Sequence, residues 1–326
     1  MTSSVAAQPQ SDKTTLSSVV RRLRGGDEIA RLITLLFAVS VLAISVLLIW
    51  VLWTGSEASR AKSGFGFLTS KLWNPVTDEF GAYPFIYGTI VTSVLALIIA
   101  VPTGVGAAIY LSELARGAWS DALTFLVELL AAVPSVIFGL LAMFTLVPLM
   151  RTTIGPGLKS VFGSLPLFSG PVYGVGYLTA SLVLSVMIFP YIISVSREAL
   201  LSVPREQREA ALALGATKWE STWQIVVPFA RLGILGSIFL AFARALGETM
   251  AVTLVIGNDP AVHASLFAPG YTISAVIANE FTEATGKIYT AALIELGLVL
   301  FVLTFILNGL ARLLILVTTQ KGSAKA

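Results

Sequence analysis

Six long apolar blocks alternate with polar segments along the chain, and each block is long enough for a helix to cross a bilayer. The hydrocarbon core of a membrane requires about 20 mostly apolar residues per helix. The blocks cover residues 32–53, 85–111, 122–150, 172–196, 232–257 and 288–317. Only 12% of all residues are charged, whereas soluble domains carry about 25%. We therefore predict an all-α, polytopic membrane protein with six transmembrane helices.

The residue types that perform most covalent chemistry are scarce in this chain. Cysteine is absent, and His263 is the single histidine. The lack of cysteine excludes disulfide frameworks and thiolate metal sites, and one histidine argues against a His-based metal site or a Ser-His-Asp triad. We expect no catalytic residues, no metal, no cofactor of the chain's own and no nucleic-acid partner.

Lys and Arg are distributed unevenly between the two sides of the predicted bundle. Six spans place both termini on one side of the membrane. If that side is the cytoplasm, its segments hold 14 Lys and Arg residues, the outer loops hold 6, and Arg244 lies within a span. Positive residues are enriched in cytoplasmic loops, so we predict cytoplasmic termini. We expect residues 1–28 to form a disordered cytoplasmic tail, residues 29–317 the transmembrane domain and residues 318–326 a second cytoplasmic tail.

Two features of the sequence each allow two interpretations. Prolines within spans, which are Pro102, Pro134, Pro148 and Pro190, either produce packing kinks or break helices beside a translocation path. The long outer loops, at 54–84, 151–171 and 258–287, either bind a partner or only connect spans. Neither the prolines nor the loops decide between these alternatives.

Charged residues inside the spans are costly, about 2.5–3.5 kcal/mol each at the bilayer centre unless they are paired or hydrated. Arg244 and Glu248 are four residues apart, so on one helix they would share a face and could pair. The pair is either a structural ion pair or a site where Arg244 meets an anionic substrate and Glu248 tunes its charge. Glu128 lies near a span end, and Glu295 is expected to make a structural hydrogen bond.

The polar segment between the fourth and fifth spans, residues 197–231, has the signals of two short helices. Ser202 is placed to cap the first helix, with Pro204 in its first turn. Gly215 stands where a helix end needs a left-handed residue. Thr217 and Glu220 have the spacing of a capping box, and we predict that the second helix ends at Pro228.

The same segment resembles the EAA loop of ABC-importer permeases. Glu209-Ala210-Ala211 is followed after three residues by Gly215 and after nine more by Ile225-Val226-Val227-Pro228, where only Val227 departs from the family's Leu. The resemblance implies a type I ABC importer permease fold with cytoplasmic coupling helices that fit a groove on a separate ATPase. It assigns this ATPase contact to five residues, which are Glu209, Ala210, Ala211, Gly215 and Pro228. The alternative is an amphipathic helix lying on the lipid surface.

Three further segments resemble the PstC-type permease family of phosphate ABC importers. They are residues 243–252 (ARALGETMAV), 128–135 (ELLAAVPS) and 85–90 (FIYGTI). In that family the arginine and glutamate of the first segment are linked to phosphate passage, and the resemblance transfers those roles to Arg244 and Glu248. The PstA-type sister family shares the loop and a similar Arg…Gly-Glu segment, so the choice between the two rests on ALGETMAV.

The resemblance also implies the partners and the location of the protein. It predicts a permease subunit for inorganic phosphate in a bacterial plasma membrane, surrounded by lipid. The expected partners are a PstA-type second permease, two PstB-type ATPase subunits that bind ATP, and a PstS-type phosphate-binding protein. The chain itself is expected not to be an enzyme, since its Gly286-Lys287 pair has Phe281 where a P-loop has its first glycine. A permease for another oxyanion and a secondary anion transporter remain the alternatives.

Overall fold

The computed structural model describes residues 27–115 and 117–323, and these residues are mostly helical. The α-helices are α1 (Asp27–Gly55), α2 (Glu57–Ser63), α3 (Gly66–Thr69), α4 (Tyr83–Ile109), α5 (Ala118–Ala132), α6 (Ser135–Leu141), α7 (Val147–Leu149), α8 (Gly155–Phe162), α9 (Tyr177–Leu201), α10 (Arg205–Ala213), α11 (Lys218–Ser221), α12 (Val227–Gly247), α13 (Met250–Ile256), α14 (Ile273–Glu280) and α15 (Lys287–Ser323). The chain forms two compact units, Met1–Thr54 and Gly55–Ala326. Residues 1–26 and 324–326, which hold most of the predicted tails, lie outside the described residues.

Six helical segments of the described chain have the length and the apolar composition of membrane spans. They cover Glu28–Gly55, Tyr83–Leu114, Ser135–Phe162, Tyr177–Leu201, Lys218–Gly247 and Lys287–Leu310. The predicted number of spans and the all-α class are therefore confirmed. Four spans coincide with the predicted blocks to within a few residues, whereas the third and the fifth differ.

The third span begins later than predicted because the helix breaks before Pro134. Val133 has an extended backbone, with φ −69° and ψ 128°, as expected for a residue whose α conformation clashes with a following proline. The predicted block 122–150 therefore contains the end of a separate helix, α5, and the start of the span at α6. From α6 the helix continues to Phe162 through two π-helical segments, Ala142–Leu146 and Met150–Ile154.

The fifth span begins earlier and ends earlier than predicted. The predicted helix end at Pro228 is wrong, because α11 continues through the π-helical segment Thr222–Val226 into α12. The wide π turn directly before Pro228 changes the hydrogen-bonding register, so the missing N–H of the proline does not end the helix. The helix instead ends at Gly247, inside the predicted block, and α13 follows as a separate helix.

Spans two, four and five pack closely through small side chains. A Cβ atom at Gly104 on α4 would lie 2.9 Å from Cγ2 of Ile192 on α9, so the glycine permits this approach of the two helices. Between α9 and α12, the buried hydroxyls of Ser196 and Ser237 form a hydrogen bond of 2.7 Å. Small residues and interhelical hydrogen bonds hold helices together in lipid, where apolar burial alone gives little driving force. The three spans therefore form one packed body.

A short hairpin between the first and second spans is fixed to α14 and α15. Strand β1 (Trp73–Asn74) pairs antiparallel with β2 (Glu79–Phe80). The indole N–H of Trp73 and the hydroxyl of Tyr289 both donate to Oε2 of Glu280, at 2.8 and 2.7 Å. One carboxylate therefore joins the hairpin to two helices that lie more than 200 residues further along the chain.

Gly88 on α4 provides a test of this packing. A Cβ atom at this position would overlap the carbonyl oxygen of Tyr271, whereas one at Gly106 on the same helix would meet no atom within 4 Å. We expect Gly88→Ala to lower the free energy of unfolding by about 1–3 kcal/mol, as overpacking does. Gly106→Ala should change it by less than about 1 kcal/mol. Thermal unfolding of the purified variants in detergent measures the difference, and equal melting temperatures would contradict the close contact.

Candidate functional site

The two short helices predicted within residues 197–231 correspond to α10 and to α11, the first turn of the fifth span, and they meet at Gly215. Gly215 has φ +89°, a left-handed conformation that glycine adopts without a Cβ clash. The N–H of Gly215 donates to the carbonyl of Leu212 at 3.0 Å, and that of Ala216 donates to the carbonyl of Ala211 at 3.1 Å. These two bonds form a complete Schellman motif, so the predicted turn is confirmed.

The two predicted helix starts have different outcomes. Ser202 does not cap α10, and that prediction is wrong: its Oγ donates to the carbonyl of Ala199 at 2.8 Å, in the last turn of α9. Pro204 occupies the N-cap position instead. The capping box of α11 is confirmed, because Oγ1 of Thr217 accepts from the N–H of Glu220 at 3.2 Å and Oε2 of Glu220 accepts from the N–H of Thr217 at 2.8 Å.

The five residues predicted to contact an ATPase do not share one surface. Glu209, Ala210 and Gly215 are exposed on and beside α10. Ala211 is only 5% exposed, because it faces the bundle rather than solvent. Pro228 is exposed but belongs to the first turn of α12. Glu209 and Ala210 are therefore the predicted helical residues that a partner can reach directly.

Some apolar side chains of this loop point towards the bundle and others point towards solvent. Four apolar residues, Ala210, Ala211, Leu212 and Leu214, lie at the end of α10 and just beyond it. In the structure Ala211 packs inward, whereas Leu212 is 43% and Leu214 is 90% exposed. The loop therefore presents uncovered leucine side chains beside Glu209.

Arg244 and Glu248 do not form the predicted ion pair. The helix that carries Arg244 ends at Gly247, and Glu248 has an extended backbone with φ −69° and ψ 129°. The interpretation that both lie on one helical face is therefore wrong, since the (i, i+4) relation requires an unbroken helix. Ion pairs that the structure does show for arginine include Arg197 with Glu198 and Arg208 with Glu113.

The guanidinium of Arg244 instead lies against an aromatic ring. Its Cζ is 4.7 Å from the ring centroid of Tyr191 on α9, a geometry in which the ring stabilises the cation. Its Nε is buried and has no hydrogen-bond partner among the described residues. The charge of Arg244 is therefore held within the packed body of spans four and five without a carboxylate to neutralise it. Sequence reasoning missed Tyr191, because no local pattern links it to a residue 53 positions away.

Glu248 occupies the break between α12 and α13. It is buried, with 9% exposure, and its Oε1 accepts a hydrogen bond from the N–H of Ala251 at 3.4 Å. The hydroxyl of Ser274 on α14 donates to the carbonyl of Glu248 at 2.7 Å. These contacts satisfy two of the backbone groups that the break leaves free, and buried protein partners are the condition under which irregular backbone is tolerated at membrane depth.

The two other acidic residues of the apolar blocks lie on different helices. Glu128 is exposed on α5, outside the third span. Glu295 is 6% exposed on α15, and its Oε2 has no hydrogen-bond partner among the described residues. The expected structural hydrogen bond of Glu295 therefore does not involve that oxygen. Across residues 27–115 and 117–323, no group of three or more His, Cys, Asp or Glu residues could hold a metal ion.

Comparison with known proteins places this architecture in a family. Residues 100–315 match the family described as binding-protein-dependent transport system inner membrane component. The chain is 46% identical over 303 residues to the phosphate transport system permease protein PstC of Mesorhizobium japonicum, covering 92% of this chain and 93% of that protein. It is 45% identical over 294 residues to the same protein of Xylella fastidiosa, with coverage of 89% and 90%.

Solved structures give the same fold at much lower sequence identity. A bacterial alginate ABC transporter, solved with its alginate-bound periplasmic protein, has a chain that superposes with a TM-score of 0.57 at 16% identity, covering 88% of this chain and 95% of that one. The MetNI methionine ABC transporter, in an inward-facing conformation, superposes with a TM-score of 0.55 at 14% identity, covering 75% and 98%. With six spans, the EAA-type loop between α9 and α12, and close similarity over nine-tenths of its length, the chain belongs to the PstC family of binding-protein-dependent ABC importer permeases.

Proposed function

We propose that this chain is the permease subunit of an ATP-driven importer of inorganic phosphate and forms half of its translocation path. The family supports the transport role, and the relatives named above are phosphate permeases. The observation that carries the proposal is the guanidinium of Arg244, which lies inside a span and pairs with no carboxylate of the described residues. An unneutralised cation at this position is costly in a membrane unless it faces water or an anion.

Arg244 has the chemistry that a phosphate ion requires during passage. A guanidinium donates through a planar fork, which can contact two oxygens of a tetrahedral oxyanion at once. The Tyr191 ring, whose centroid is 4.7 Å from Cζ of Arg244, stabilises the cation within the spans. Glu248, four residues away at the helix break, adds negative potential and weakens binding, and an ion must bind weakly enough to leave. We propose that Arg244 contacts phosphate and Glu248 tunes that contact.

The loop between spans four and five supports coupling to a separate ATPase. Glu209 and Ala210 are exposed on α10 and can enter a groove on a partner, and the turn at Gly215 fixes α10 relative to α11. ATP binding is assigned to the partner, since the P-loop spacing is not met at Gly286-Lys287. We propose that the chain has no ATPase site of its own and that the ATPase drives the spans as packed bodies.

The complete importer contains further subunits. We propose a PstA-type second permease, two PstB-type ATPases and a PstS-type phosphate-binding protein on the outer side. The excess of Lys and Arg in the segments before span one and in the loop between spans four and five supports cytoplasmic termini in a bacterial plasma membrane. Co-purification from native membranes tests this composition, and recovery of a homodimer without an ATPase would contradict it.

The role of Arg244 is tested by removing its charge. We expect Arg244→Gln to reduce ATP-driven phosphate uptake by about 10- to 100-fold, the range for losing a hydrogen bond to a charged group, at normal membrane abundance. Arg244→Lys should retain part of the activity, because it keeps the charge without the fork. The double variant Arg244→Gln with Glu248→Gln should show the same loss, because Arg244 and Glu248 form no ion pair with each other in the described part of the chain.

Uptake of labelled phosphate into vesicles measures these effects. Arg312→Gln, which removes an exposed guanidinium from α15, is the matched control and should transport at the normal rate. Recovery of uptake in the double variant would show that Arg244 has a structural role and would remove it from the substrate path.

The docking role of Glu209 is tested by reversing its charge. We expect Glu209→Lys to weaken co-purification of the ATPase and to lower uptake by about tenfold, since juxtaposed like charges can cost several kcal/mol at an interface. Gln207→Lys introduces the same lysine side chain about 160° around α10 and should change neither quantity. Equal ATPase recovery with both variants would contradict docking through Glu209.

A further inference from the structure

Arg208 is the most extensively bonded charged residue that the structure describes in the loop between spans four and five. Its Nε and Nη2 donate to Oε2 and Oε1 of Glu113 at 3.2 and 2.9 Å. Nη1 and Nη2 also donate to the carbonyls of Val203 and Leu200, at 2.5 and 2.7 Å. One guanidinium therefore holds a carboxylate in a bidentate pair and two backbone carbonyls at the same time.

These four bonds join three separate elements. Arg208 is on α10, Glu113 is in the π-helical segment Tyr110–Leu114 that ends the second span, and Leu200 is in the last turn of α9. The carbonyls at the end of a helix carry partial negative charge and attract a cation. The side chain thus connects the loop helix to the ends of spans two and four.

The connection is shielded from water. The side chains of Arg208 and Glu113 are 20% and 11% exposed. The neighbouring buried cluster contains residues from α4, α9, α12 and the segments beside them, which are Ala108, Ile109, Leu200, Val203, Val226, Ala230 and Ile234. A charge pair in such surroundings is held in one geometry, because separating its members would leave a buried charge uncompensated.

Arg208 and Glu209 are consecutive but point in different directions. Glu209 is exposed, whereas Arg208 and Ala211, three residues apart and on one face of α10, point towards the bundle. A force applied to the exposed face of α10 therefore reaches the spans through the inward face. Ala211 supplies only a small apolar contact there, whereas Arg208 supplies a bidentate ion pair and two further hydrogen bonds.

We propose that Arg208 is a positioning residue that makes α10 move as one body with the ends of spans two and four, so that ATPase motion reaches the translocation path. This inference rests on the proposed function. The element that Arg208 fixes is the one that would dock on the ATPase, but the donors of Arg208 are directed at Glu113 and at the carbonyls of Val203 and Leu200 rather than at the exposed face. Its loss should therefore leave docking intact and interrupt the transmission of movement.

The experiment uses the complete importer in proteoliposomes and measures ATP hydrolysis and phosphate uptake on the same samples. We expect Arg208→Gln and Glu113→Gln each to keep ATPase co-purification and ATP hydrolysis. The amount of phosphate taken up per ATP should fall about tenfold, which lies within the usual range of coupling between two sites. Arg208→Lys should give an intermediate ratio, since it keeps the charge but not the bidentate geometry. Lys218→Gln, which removes an exposed positive charge from the same loop, is the matched control and should keep the normal ratio.

A distance measurement separates transmission from general stability. The chain contains no cysteine, so spin labels can be attached at Leu114→Cys and Leu214→Cys with cysteine-free partner subunits. With Arg208 present, the distance between the labels should stay the same when ATP binds. With Arg208→Gln, the distribution should broaden or shift, because α10 then moves without the second span.

The outcomes are distinct. Normal uptake per ATP in both Arg208→Gln and Glu113→Gln would overturn the inference, and so would a joint loss of ATPase binding and hydrolysis, which would place Arg208 in docking or folding. An unchanged label distance in Arg208→Gln would also overturn it. Failure of the wild-type complex to take up phosphate with ATP would instead contradict the proposed function.

Discussion

The rest of the structure depends on the rule that backbone polar groups must be satisfied within the protein wherever a segment lies in hydrocarbon. Helices satisfy this rule by themselves, so the spans are helical, and every interruption needs a local solution. At Pro228 a π turn lets the helix continue. At Glu248 the hydroxyl of Ser274 and the N–H of Ala251 bond to the interrupted segment. At these two positions the local structure therefore compensates for the irregular backbone.

The interruption at Glu248 also determines whether a carboxylate neutralises the charge of Arg244. If the helix continued, Glu248 would lie one turn beyond Arg244 and could neutralise it. Because the helix ends at Gly247, the carboxylate turns to the start of α13, and the guanidinium rests on Tyr191 instead. A cation without a carboxylate partner is better suited to meet a mobile anion than a closed ion pair is. The backbone break thus connects the fold to the proposed transport chemistry.

The loop between spans four and five has one exposed face and one face bonded to the spans. The outward face of α10 carries Glu209 and Ala210, and the inward face carries Arg208 and Ala211. A Schellman turn at Gly215 and the capping box of Thr217 with Glu220 fix the ends of the two short helices. A rigid loop with one face bonded to the spans can pass on a displacement, which a flexible linker would absorb.

Local signals in the sequence determined the number of spans, the turn at Gly215 and the capping box. Hydrophobic length, glycine and short polar side chains influence the backbone only within a few residues along the chain. The resemblance of the loop and of ALGETMAV also identified the family correctly. Only the tertiary structure decided that Arg244 lies on Tyr191, that Glu248 faces α13 and α14, and that Arg208 binds Glu113, 95 residues away. Such contacts depend on how helices that are distant in sequence pack against one another. A local sequence pattern does not specify which distant residues this packing brings together.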